Sequence, residues 1–547
     1  MQLLAINDLH GNLEPPLGND GSVLAPADDP MARLALSGAS AGGRIRIPAG
    51  GVAYLATHVR ELRKGNPNTV FVSAGDLTGA SPLVSNLFQD EPVVLAMNLI
   101  GLDFEGVGNH DFDRGITELH RLQSGGPAAG PGPAPAPFPG AKFQYLAANV
   151  RGPDGATVFP PYAIKEFGPA KIAFVGMTLE ATPTVTTPEA IAGLTFVGEA
   201  RTANALVPEL QSHGVSTAVL LIHQGGFQSE SGTYDACDGF KGDLRSLLHD
   251  LDPMFRVIVT GHTHQGYNCT IDGRLVTSAT SYGRVITKID LTIDPAKAEL
   301  TDARARNVIV THDVAPDPQV RDLIASFEER AAPVARRVVA YLRGPFTRDP
   351  EAAKSRSCET PLGDLIADAQ LEATRGAGAV VAFMNPGGVR TDLVPDPGGG
   401  AAPVRYAAVF EVQPFGNRLV TVTLTGKEIQ ELLEKQFARD RPRVLSVSRG
   451  FTYRYAFDPK TRTATVDPSS LRLSGVAVRP EKRYRVTINS FLATGGDGFS
   501  LLRSAPDRAS GPLDIEAFTR YLGRFGTAGS ALSPPAKVAR IDGNACE

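Results

Sequence analysis

The chain has 547 residues, enough for two or more domains with full cores. Its formal net charge of −4 leaves no broad basic footprint for a nucleic-acid polymer, although a mononucleotide needs only local positive groups. No run approaches the roughly 18 apolar residues that span a bilayer.

The first ~310 residues alternate β-rich apolar runs with helical patterns, which predicts layered α/β structure. Strands are predicted at Leu3–Asn7, Val70–Ala74, Phe104–Gly108, Ile172–Gly176, Ala218–Ile222 and Val257–Thr260. Residues 18–50 and 125–140 interrupt this pattern with Gly, Ala and Pro. Pro removes backbone donors and Gly costs entropy, so both stretches are expected as surface loops or mobile insertions, not core elements. In residues 317–340, Val320, Leu323, Ile324 and Phe327 recur at helical spacing, and Pro333 should kink or end that helix. The expected division is a first domain at 1–315, a linking helix at 316–340 and a second domain at 341–547. The second opens on CETPLGDLIADAQLEAT, where Leu362, Leu365, Ile366, Ala369 and Leu371 predict an amphipathic helix. Further strands are predicted at Arg418–Leu424 and Tyr484–Ile488, and no internal repeat is found.

Five segments close predicted strands: AINDLHGN, SAGDL, GVGNHDFD, LLIHQGG and VTGHTHQ. They supply Asp8, His10, Asp76, Asn109, His110, His223, His262 and His264. Strand carboxyl ends are where sites collect in open α/β sheets. The donors are oxygens and imidazole nitrogens without a thiolate, an inventory that suits a pair of divalent metals. Asp8 and His10 stand two apart, so an extended strand end would turn both to one side to grip one ion. The two oxygens of Asp76 can bridge two ions, Asn109 offers a neutral carbonyl, and His223, His262 and His264 complete the shells. His110 adjoins Asn109 and should face the space beside the metals, with Asp113 accepting from its other ring nitrogen. Any one of these residues alone reads as a turn, a cap or an ordinary histidine. Five of the ten histidines fall in these segments, which argues against coincidence.

The cysteines are Cys237, Cys269, Cys358 and Cys546, none in a C-x-x-C pair. An even count fits two disulfides in an oxidising compartment. The favoured pairing is Cys237–Cys269 and Cys358–Cys546; four reduced, partly buried thiols are the alternative. No leader is visible, since Met1 runs straight into a strand. The cysteines favour a secreted or periplasmic chain whose leader has been removed over a cytosolic one.

The order and wording of the five segments resemble the two-metal calcineurin-like phosphoesterases. NPGGVR (385–390), PFGN (414–417) and NSFLATGGDGF (489–499) narrow the resemblance to the 5'-nucleotidase family. It implies an α/β chain: a four-layer α/β/β/α metallophosphoesterase domain joined by a helix to a smaller α/β substrate-binding domain. It also implies hydrolysis of nucleoside 5'-monophosphates by a water activated between two divalent ions of zinc, manganese or cobalt. In the G-N-H-[DE]-x-D motif the His acts in catalysis and the last Asp supports it, which implies these roles for His110 and Asp113. Phe415 and Phe491 would sandwich the base, Asn417 would hydrogen-bond it, and Asp497 would bind ribose hydroxyls. Arg356 and Arg390 would clamp phosphate, with Asn385 in the same loop as Arg390. The structural alternative makes the two Phe residues loop anchors and the glycines turns. The chain departs from the pattern at Pro386, where many members have Gly, and at His264, where some have Gln. Metal and base residues fall in different domains, so the family further implies a hinge near residues 317–345. Rival activities are a 2',3'-cyclic-nucleotide phosphodiesterase with 3'-nucleotidase activity and a nucleotide-sugar pyrophosphate hydrolase; PFGN favours the 5'-nucleotidase branch. A non-catalytic nucleotide-binding surface protein is the rival of another class, and the intact His110–Asp113 pair argues against it.

Overall fold

Val- and Ile-rich runs of the first half form two six-stranded sheets in the computed structural model, which describes residues 1–36, 43–130, 137–229, 232–294, 296–297, 299–351, 353–437 and 442–546. The first sheet runs Glu299–Ile309, Val285–Asp294, Gln2–Ile6, Thr69–Ser73, Phe104–Gly106, Gln144–Leu146, its last four strands parallel. The second runs Gly266–Ile271, Arg274–Ala279, Phe255–Thr260, Thr217–Ile222, Ala170–Met177, Tyr162–Phe167, parallel at its centre. Successive side chains on a strand point to opposite faces, so each strand feeds two cores. Leu3, Ala5, Val70 and Val72 meet Val219, Leu221, Val257 and Val259 between the sheets. Leu4, Ile6 and Phe71 instead pack beneath the helices Val52–Lys64, Glu91–Ile100 and Ile116–Ser124. Ala218, Leu220 and Ile258 pack beneath Glu199–Ser212 and Leu244–Asp250. The result is the expected α/β/β/α order, with each buried Leu, Val or Ile contributing about 1.5–3 kcal/mol.

Composition misled the reading of residues 18–50. They hold an antiparallel hairpin, Ser22–Pro26 with Arg44–Pro48, whose Val23, Ala25, Ile45 and Ile47 pack on Val285 and Ile309. The period-two alternation in SVLAP and RIRIP outweighs the surrounding Gly and Pro. Residues 37–42 of that stretch, and 131–136 of the second, lie outside the described residues. In the second stretch Phe138 is buried and bridges to Gly126, with the Arg121 guanidinium 5.1 Å from its ring centre.

By contact the chain divides into two compact units, Met1–Ala331 and Ala332–Glu547, and the division falls inside the helix Pro318–Ala335. That helix continues two residues past Pro333, since a proline in the last turn forfeits only one backbone bond.

The second unit is built on a five-stranded sheet ordered Ser446–Val447, Val381–Met384, Arg483–Asn489, Arg418–Thr425, Ala509–Leu513. The helix Pro361–Thr374 starts where the Thr360 hydroxyl accepts from Gly363 N at 3.2 Å, and it buries Leu362, Leu365 and Ile366. The helix Gly426–Lys435 starts at a reciprocal Thr425–Glu428 cap and packs Ile429 and Leu432 on Val422 and Val486.

The cysteines pair as favoured, Cys237 with Cys269 and Cys358 with Cys546, spanning 32 and 188 residues. Closing so long a loop restricts the unfolded chain, so Cys358→Ser/Cys546→Ser should lose about 2–5 kcal/mol of stability. Urea unfolding of the isolated double variant reads this directly, and an unchanged midpoint would contradict it. Among the described residues no helix is long and apolar enough to cross a membrane.

Candidate metal centre and catalytic site

The predicted ligands leave the carboxyl ends of both sheets. Asp8, Asp76 and Asn109 follow Gln2–Ile6, Thr69–Ser73 and Phe104–Gly106; His223 and His262 follow Thr217–Ile222 and Phe255–Thr260. The backbone there is not extended. Asp8, His10, Asp76, His262 and His264 have φ of 50°, 48°, 53°, 70° and 56°. Left-handed turns, not strand alternation, therefore aim the D-x-H and H-x-H pairs, at about 1–2 kcal/mol per residue. The third strand also stops at Gly106, short of the predicted Gly108, because Gly108 N donates to Asp111 Oδ2 at 2.8 Å.

Two triads result, Asp8 with His10 and His264, and Asp76 with His223 and His262, the donor atoms of each lying within 4.8 Å. Asp8 and His10 thus share a triad, whereas His262 and His264 are divided between the two. His10 Nδ1 lies 3.0 Å from Gly79 O and His223 Nδ1 lies 2.8 Å from Ala74 O. A carbonyl can only accept, so each Nδ1 carries the proton and turns Nε2 inward. His10 Nε2 then sits 3.1 Å from His264 Nε2, and His264 Nε2 sits 3.3 Å from Asp8 Oδ1. His262 Nδ1 is 2.9 Å from Asn109 Oδ1. A single oxygen of Asp76 faces both triads: Oδ2 lies 3.0 Å from His223 Nε2 and 3.6 Å from His10 Nε2. The expectation that both oxygens bridge is corrected, because Oδ1 accepts from His110 N at 2.7 Å.

The electrostatics demand positive charge. Burial alone would raise the pKa of Asp76, yet His223, His110 and His10 hold it well below the carboxylate range. Burial would likewise depress His223, but Asp76 and Asp8 push it up to about 10. Asp76 and Asp8 thus favour the charged form of His223. Converging imidazole nitrogens and carboxylate oxygens fit a divalent pair equally well.

Beside the triads stands His110, its ring 5.1 Å from that of His10. Its Nδ1 lies 3.0 and 3.1 Å from the two oxygens of Asp113. Asp113 also accepts from Ala80 N at 3.1 Å, which fixes the carboxylate as well as the ring.

In the second unit, Asn385 Nδ2 donates to Asp497 Oδ2 at 2.9 Å, and Asn489 Nδ2 donates to Asn385 Oδ1 at 2.9 Å. Arg390 lies over the Phe415 ring, 5.7 Å from its centre. Ser490 Oγ donates to Asn417 Oδ1 at 3.0 Å, tying the PFGN loop to the segment that carries Phe491. The Phe491 ring lies against Gly496, where a Cβ would come within 2.6 Å. Arg356 is exposed, and its carbonyl accepts from Cys546 N at 2.9 Å.

Residues 1–266 match the calcineurin-like phosphoesterase family, and residues 338–504 match the 5'-nucleotidase C-terminal domain. The chain belongs to the 5'-nucleotidase family of calcineurin-like phosphoesterases. It is a phosphoric-ester hydrolase, and the family implies divalent metals and a small nucleotide substrate. Endonuclease YhcR of Bacillus subtilis is 30% identical over 531 residues, covering 96% of this chain but 40% of its own length. Cell wall protein Lmo0130 of Listeria monocytogenes is 28% identical over 558 residues, 97% of this chain and 68% of its own. Among solved structures, the crystal structure of a 5'-nucleotidase precursor from Thermus thermophilus superposes with a TM-score of 0.75 at 26% identity, over 99% of both chains.

Sequence reasoning missed several side chains that hold the candidate residues of each unit in place. Asn7 donates to Asp8 Oδ2 at 2.7 Å, and Arg443 donates to Asp497. The most consequential is Asp111, buried, which accepts from Asp76 N at 3.0 Å, Thr78 N at 3.0 Å and Gly108 N at 2.8 Å. Burial and the neighbouring Asp76 raise its pKa to about 7 against these donors. Asp111 joins the two loops that present Asp76 and Asn109. Asp111→Ala should therefore weaken metal binding by about 10–100-fold without removing a ligand. Titration with Mn²⁺ measures this, and wild-type affinity would refute it. The first acidic residue of G-N-H-D-F-D was the available signal; Arg443 lies in none of the recognised segments.

Proposed function

We propose that the enzyme hydrolyses nucleoside 5'-monophosphates to nucleoside and phosphate. The observation that carries this reading is the Asn417–Ser490 hydrogen bond, which joins the loops bearing Phe415 and Phe491. Two rings flanking such a junction suit a planar base, and stacking is worth about 1–3 kcal/mol per contact. Asn417 recognises the base edge, Asp497 the ribose hydroxyls, and Arg390 with Arg356 the phosphate. Asn385 holds Asp497 in place through its amide.

Asp8, His10 and His264 would hold one ion; Asp76, His223, His262 and Asn109 would hold the other. When bound, the pair lowers the pKa of a water and draws charge from the phosphoryl oxygens. Zinc, manganese and cobalt all suit these donors. His110, held by Asp113, donates from Nε2 to a phosphoryl oxygen or to the departing ribose oxygen. The base, ribose and phosphate side chains belong to a substrate-binding domain at 341–547, and the metal centre to a catalytic domain at 1–315. Two disulfides and a relative named as a cell wall protein support a periplasmic or secreted location.

The test is phosphate release from AMP beside 2',3'-cyclic AMP, UDP-glucose, p-nitrophenyl phosphate and a single-stranded oligonucleotide, with Mn²⁺ or Zn²⁺ and with chelator. AMP should lead by a wide margin. Phe415→Ala should raise KM for AMP about 5- to 150-fold and spare p-nitrophenyl phosphate. Equal loss on both substrates would overturn the base-stacking role, and a preference for the oligonucleotide would overturn the substrate class.

A further inference from the structure

The second unit contains a cavity of about 1070 Å³ lined by none of the residues assigned to base, ribose or phosphate. It lies between the end of the helix Pro361–Thr374, the hairpin 472–477 and the loop 479–484. Four cations line it, Arg375, Arg449, Arg479 and Lys482, and no acidic residue does. Arg449 is neutralised by Asp368 at 3.2 Å. The nearest acids in sequence are turned elsewhere or lie outside the lining: Glu372 pairs with Arg524, and Glu481 does not face the cavity. Arg375, Arg479 and Lys482 form no ion pair among the described residues. Apart from Ser474, the remaining side chains of the wall are apolar or aromatic. Val476 is 67% exposed, and the Tyr484 ring lies beneath Lys482, 5.5 Å from its Nζ.

Three unpaired like charges in one concavity repel one another and focus a positive potential into it. An anion relieves that repulsion. Guanidinium forks match the oxygens of a phosphate, and the Ser474 hydroxyl on the same wall adds a donor. The volume is that of a small-molecule site, and the exposed apolar wall would cover an organic group. We propose that this cavity is a second, metal-independent binding site for an organic phosphate. The anionic group meets Arg375, Arg479 and Lys482, and the apolar portion lies against Val476 and Tyr484.

Calorimetry on chelator-treated full-length protein tests this, with 1-naphthylphosphonate, inorganic pyrophosphate and heparin as probes. One equivalent of naphthylphosphonate should bind, at least about tenfold more tightly than pyrophosphate because only it covers the apolar wall. Arg375→Glu/Arg479→Glu should weaken binding at least about tenfold, and Lys482→Glu alone should weaken it measurably. Both variants should keep the phosphatase rate of the metal-loaded enzyme, which separates a lost site from a lost fold. Binding that chelator abolishes belongs to the metal centre and overturns the proposal. So do binding that charge reversal spares, no binding at all, and capture of heparin without capture of naphthylphosphonate.

Discussion

His110→Ala should lower kcat for AMP about 10²- to 10⁴-fold while leaving two metal equivalents bound. The ring stands beside His10, outside both triads, so its loss removes no ligand. What disappears is a donor already oriented by Asp113 through Nδ1. Asp113→Asn offers a graded control, since an amide can still accept from Nδ1 but no longer stabilises a charged ring. Its kcat should fall less than that of the alanine variant, and its pH profile should shift. Metal analysis beside steady-state kinetics decides the matter: a His110→Ala protein that loses metal would make His110 a ligand instead.

Asp76→Ala should be more damaging still. Its Oδ2 faces both triads, and its Oδ1 anchors the backbone of His110. One substitution therefore removes the shared carboxylate and the support of the neighbouring donor. The protein should retain at most one metal equivalent and lose about 10³-fold or more in kcat/KM. The imidazoles of the triads would also lose a charge that compensates them, so His223 should fall back from about 10 toward its ordinary range. Retention of two tightly held ions would mean that the triads are bridged by something other than Asp76.

Chemistry was more legible in the sequence than geometry. The donor types of Asp8, His10, Asp76 and the three later histidines name the kind of ion without a structure, because softness and charge belong to the residue. Which donors share an ion does not. His262 and His264 are two apart, yet local backbone sends them to different triads. Strand cores were equally plain, since strands buried on both faces read as continuous apolar runs. The hairpin at residues 22–48 was obscured by composition, although the alternation of Ile45 and Ile47 announced it. Asp111 and Arg443 went unread because their work is done on partners distant in sequence, 35 residues away for Asp76 and 54 for Asp497.

Five of the seven predicted metal-facing residues occupy backbone that suits glycine or asparagine better than Asp or His. Optimising this chain for local propensity would count those five among its targets, beside Ala80, Thr280 and Tyr282. The resulting protein would be easier to fold and inert. Thermostability and turnover are thus opposed at the carboxyl ends of these two sheets, and stabilising substitutions should be sought in the helix layers.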